Sequence, residues 1–62
     1  MKVREVLRRL KSEGWVRVKS KGGHRQFKHP SKSGRVTVSG KLSDTISHGT
    51  LGSIFRQAGW EE

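Results

Sequence analysis

Apolar residues are sparse along this chain, and their spacing changes character three times. Over residues 2–13, KVREVLRRLKSE, Val3, Val6, Leu7 and Leu10 fall at i, i+3, i+4 and i+7, the single stripe of an amphipathic helix. Arg4, Arg8 and Lys11 share another face, Glu5 is placed to pair with Arg9 one turn on, and Gly14 supplies a stop. From Trp15 the period shortens. WVRVKS (15–20) is β-branched and aromatic, Lys21-Gly22-Gly23 forms a tight turn, and HRQFKH (24–29) forms a second strand ended by Pro30. Ser31 to Gly34 is a second turn, and RVTVS (35–39) is a third strand with Val36 and Val38 inward.

Residues 40–48 are polar and irregular, with Leu42 and Ile46 as anchors and His48 in the loop. The helical period returns in TLGSIFRQA (50–58), where Leu51, Ile54, Phe55 and Ala58 form one stripe. Thr50 caps its start, Gly59 stops it, and Trp60 folds back on the last turn. The predicted class is α+β with the order α-β-β-β-α: two helices cover one face of a three-stranded antiparallel sheet and the other face stays open to water. With 62 residues, residues 1–62 are expected to form one small domain.

Composition narrows the chemistry. With no cysteine, neither a disulfide nor a cysteine-based zinc site is possible. So small a core leaves no room for a deep cofactor cavity, and no cofactor is expected. Fourteen Lys and Arg against five Asp and Glu give a net charge of +9, which concentrates the domain around polyanions, nucleic acid first among them. A membrane surface would need a basic helix with an uncovered apolar face. No segment can spare one, and apolar runs are too short for a signal peptide or a membrane span, so a cytoplasmic protein is expected.

The candidate chemistry sits in KGGHRQFKHP (21–30). If Phe27 points into the core, the strand's alternation sends Arg25 and His29 to the same side and His24, Gln26 and Lys28 to the open face. His24 then lies at the mouth of a glycine turn flanked by Lys19 and Lys21. There, Gly22 and Gly23 let a phosphate backbone approach exposed N–H groups. Positive neighbours favour the neutral ring that a general base needs. RNA carries its own nucleophile, the 2′-OH, so one histidine among cations suffices for ribonuclease chemistry; the competing role for His24 is a surface residue on a phosphate-binding strand. His29 reads as a strand-end residue. The histidine spacings of five and nineteen match no metal knuckle, and no metal is expected. GTLG (49–52) matches the GXXG of KH domains only by chance, because the helix starts inside it.

The helix ending at Gly14-Trp15, GGHRQF (22–27) followed by HP (29–30), the VTV strand and the closing GTLGSIFRQAG (49–59) together resemble the HicA family of small toxins from bacterial and archaeal toxin–antitoxin pairs. The resemblance implies a fold like that of a double-stranded-RNA-binding domain and a metal-independent mRNA interferase. It also implies a HicB-type antitoxin, whose acidic surface would cover the His24 face, and a toxin that is monomeric alone. The family's catalytic histidine follows a Gly-Ser pair, and His24 stands at the matching position with Gly23 in place of the serine. Val38-Ser39-Gly40-Lys41 stands where many members carry Val-Pro and then a histidine, leaving Lys41 as a substitute charge partner. The RNA-binding set is therefore Lys19, Lys21, Gly22, Gly23, Gln26, Lys28 and Lys41, with His24 catalytic.

Overall fold

The computed structural model describes residues 1–19, 22 and 24–60. The elements run α1 (Val3–Ser12), β1 (Val16–Val18), β2 (Arg25–His29), β3 (Lys32–Val38) and α2 (His48–Ala58). The three strands form one antiparallel sheet in the order β1-β2-β3, so the predicted α+β class and α-β-β-β-α order hold. The fold is consistent with that of a double-stranded-RNA-binding domain.

The apolar stripes meet as their periods require. Val3, Val6 and Leu10 of α1, Phe27, Val36 and Val38 of the sheet and Ile54 and Ala58 of α2 are buried together with Trp15, Ile46 and Trp60. Leu7, Leu51 and Phe55 pack against this core half-buried. Among the described residues no charged or polar side chain is buried. The whole fold therefore rests on apolar burial, each large side chain contributing about 1.5–3 kcal/mol.

Several local expectations are revised. The second helix begins at His48, two residues before Thr50. Ser47 takes the extended N-cap conformation and its carbonyl accepts the first helical bond, from the Leu51 N–H at 2.8 Å. His48 is thus the first residue of α2 and not part of the loop. Gly49 is tolerated because first-turn N–H groups need no intrahelical acceptor. The third strand, expected from Arg35 onward, starts earlier, at Lys32. Pro30 and Ser31 make the turn, and Gly34, at φ +80°, lies inside β3 where the register with β2 shifts between Phe27 and His29. A serine- and glycine-rich run that looks like a turn is here a bulged strand.

Leu42 is exposed and anchors nothing by its side chain. Its carbonyl instead accepts the Arg4 N–H, Asp44 accepts from Val3, and Ile46 donates to Met1. The irregular 40–48 stretch thereby satisfies N–H groups at the start of α1 that have no intrahelical partner. Glu5 likewise turns back to the Lys2 N–H at 2.8 Å, and Arg9 pairs with Glu13 instead. At the other end Gly14, at φ +91°, ends α1 as expected. The expected turn at residues 21–23 lies outside the described residues except for Gly22, whose φ of +72° is the left-handed conformation a tight turn uses.

Candidate nucleic-acid interface

β2 is the central strand, and its alternation sorts the basic residues onto two sides. Phe27 is buried, Arg25 and His29 are half-buried on its side, and Gln26 and Lys28 face the other way. The pairing carries this across the sheet. Val16 and Val18 stand beside Lys28 and Gln26, and Thr37 stands opposite Gln26. Arg35 of β3, out of phase with buried Val36, reaches diagonally to donate from Nη1 to Gln26 Oε1 at 2.8 Å. The open face therefore carries Lys28 and Arg35 around a fixed amide. The sequence already puts Arg35 at the start of the third strand, out of phase with Val36, but its bond to Gln26 depends on the pairing of β2 with β3, which spacing alone does not give.

His24 is exposed and stands one residue before β2. Val18 pairs with Gln26 and Val38 with Arg25, so Lys19, His24 and the chain leaving β3 come to the same end of the sheet. Arg25 fastens that end: its Nη1 donates to the Gly40 carbonyl at 2.8 Å. The next residue, Lys41, is exposed, and its N–H donates to Asp44 Oδ2 at 3.0 Å in a local turn that Gly40 enters at φ +97°. Of the sequence-selected cations, Lys19 and Lys41 thus gather at the His24 end. Lys28 lies four residues along the strand, about 13 Å away. Lys21 and Gly23 lie outside the described residues.

The other two histidines are elsewhere. His29, at the far end of β2, bonds through Nε2 to the Glu13 carbonyl at 2.9 Å, while its Nδ1 accepts the Ser31 N–H at 3.1 Å. That acceptor role fixes the proton on Nε2. The ring meets Trp15 edge-on at 5.2 Å between centroids, so His29 joins α1 to the sheet. His48 opens α2. No group of three potential metal ligands occurs among the described residues.

The arrangement is a small α-β-β-β-α domain with an open, cationic sheet face and a histidine at one end of it. The family described as "HicA toxin of bacterial toxin-antitoxin" matches residues 3–60 of this 62-residue chain. The chain belongs to the HicA toxin family, as the sequence resemblance indicated, and is the toxin member of a toxin–antitoxin pair. No curated protein matches it significantly. No helix among the described residues is long and apolar enough to cross a membrane.

Proposed function

We propose that this toxin is a metal-independent endoribonuclease that cleaves mRNA in the cytoplasm, with His24 as the general acid/base. The observation that carries the reading is the Arg25–Gly40 hydrogen bond, which holds the Lys41 segment at the same end of the sheet as His24 and Lys19. Lys28 and Arg35 extend the cationic track along the open face, where phosphates bind by a salt-sensitive, sequence-independent attraction. Gly22, with its positive φ, and Gly23 allow the backbone of the strand to approach. Gln26, held by Arg35, presents an amide on the same path.

In the reaction His24 takes the proton of a 2′-OH, whose oxygen attacks the adjacent phosphorus. The P–O5′ bond breaks, and the leaving 5′ oxygen takes a proton from water or Lys41. Lysines and Arg35 offset the charge that builds on the phosphate oxygens. The products are a 2′,3′-cyclic phosphate and a 5′-OH end. A HicB-type antitoxin with an acidic surface over the His24 face would silence this activity, binding a toxin that is one domain and monomeric alone.

The test is induction of the wild-type chain and of His24→Ala, with mapping of mRNA ends. Growth arrest with new cyclic-phosphate ends in the wild type alone supports catalysis by His24. Equal behaviour, with RNA binding retained, would assign the face to a non-catalytic RNA-binding module. Ends bearing 5′-phosphate would exclude the cyclising mechanism.

A further inference from the structure

A groove of about 540 Å³ opens between α1 and the β1 edge of the sheet, on the side away from Gln26 and Lys28. Its walls are apolar: half-buried Leu7, exposed Val16, and the flanks of Trp15 and Phe27. Its rim is cationic, from Lys11, Arg17 and Arg25. Arg25 is committed to the Gly40 carbonyl, but Lys11 and Arg17 are exposed, and the Arg9–Glu13 contact is the sole ion pair among the described residues. The two outer strands also differ. α2 shields β3, where Gln57 Oε1 accepts the Thr37 N–H at 3.2 Å; no such side-chain bond reaches β1 among the described residues. The indole N–H of Trp15, a residue that lines the groove, is buried without an acceptor among the described residues.

We infer that this groove docks an acidic peptide segment bearing an aliphatic anchor, which adds to the β1 edge. The anchor fills the space between Leu7 and Val16, carboxylates meet Lys11 and Arg17, and the peptide's backbone supplies acceptors beside an edge strand. A size of this order suits one or two large side chains. RNA fits less well. Stacking needs an open ring face, and Trp15 and Phe27 are only 3% and 7% exposed. The site does not rest on the cleavage reading: of its residues only Val16 borders the open face, beside Lys28, and only Arg25, through its bond to Gly40, touches the His24 end. Its occupant can bind while the His24 face is covered.

The probe is a short synthetic peptide of Asp and Glu around a central Leu-Leu pair, titrated into the full 15N-labelled chain. The expected result is movement of the Trp15 indole signal and of the Leu7 and Arg17 amides. Binding should weaken at least about tenfold when the leucines are replaced by serine or when Arg17→Glu or Lys11→Glu is introduced. Both substitutions are at exposed positions, so the fold is retained. Equal binding of the serine peptide would reduce the effect to charge attraction and overturn the proposal. So would shifts confined to Gln26, Lys28 and Arg35. A single-stranded RNA oligonucleotide moving Leu7 and Arg17 more strongly than the peptide would make the groove part of the RNA track.

Discussion

The Trp60 indole N–H donates to Glu13 Oε1 at 2.9 Å, joining the end of α2 to the end of α1 across forty-seven positions of chain. Arg9 completes the joint: its Nε meets Glu13 Oε2 at 2.9 Å while its guanidinium lies 4.2 Å from the centroid of the Trp60 ring. Phe55 meets the same ring edge-on at 5.3 Å. One carboxylate thus orients an aromatic side chain and a cation at the seam between the helices. Trp60→Ala should cost about 3–5 kcal/mol, a large share of what so small a domain can have. Trp60→Phe should lose less. Urea unfolding of the three chains checks the order.

Acid should loosen this joint. Hydrogen bonds from Arg9 and then Trp60 hold the Glu13 carboxyl below the ordinary glutamate range, and the Lys2 N–H does the same for Glu5. Because the folded value is depressed, the contribution is present above the unfolded value and is lost as pH falls through the folded one. Both groups are well exposed, so solvent screening keeps the effect small. Stability followed by thermal melts should fall below the ordinary glutamate range, and Glu13→Gln should give a shallower acid limb. Parallel acid limbs in the two chains would exclude Glu13 as a source.

His29 and His24 should separate cleanly. His29→Ala removes the bond to the Glu13 carbonyl and the contact with Trp15, and should cost about 1–3 kcal/mol. RNA end mapping below the melting temperature should still show cleavage. Loss of cleavage with an unchanged melt would move the chemistry to His29.

Two glycines of similar φ should respond differently to alanine. At Gly34, φ +80°, an added Cβ meets nothing within 4 Å, so Gly34→Ala carries the backbone strain alone, about 1 kcal/mol. At Gly14, φ +91°, the added Cβ stands 3.3 Å from His29 Nε2 and also disturbs that ring's bond to Glu13. Gly14→Ala should be the more destabilising in denaturant titration.

On the open face, Arg35→Ala and Lys28→Ala should each weaken RNA binding without regard to sequence. Each should lower the slope of log affinity against log salt by about 0.7 for single strands. Arg35→Ala also frees Gln26. An unchanged slope for both would place the RNA track elsewhere.

The apolar periods alone determined the order of elements, the core side of each helix and the inward direction of Phe27, Val36 and Val38, because burying sparse apolar residues leaves one consistent arrangement. GGHRQF and its companion motifs likewise carried the family and singled out His24. Tertiary structure decided what depends on partners distant in sequence. Leu42 is exposed and contributes its carbonyl to the Arg4 N–H, and Arg9 pairs with Glu13, which Trp60 also meets, while Glu5 turns back to Lys2. Arg35 meets Gln26 because β2 and β3 pair side by side, and Lys41 reaches the His24 end because Arg25 holds Gly40. Local spacing fixes which face a side chain takes; only the folded chain fixes which distant backbone group it meets.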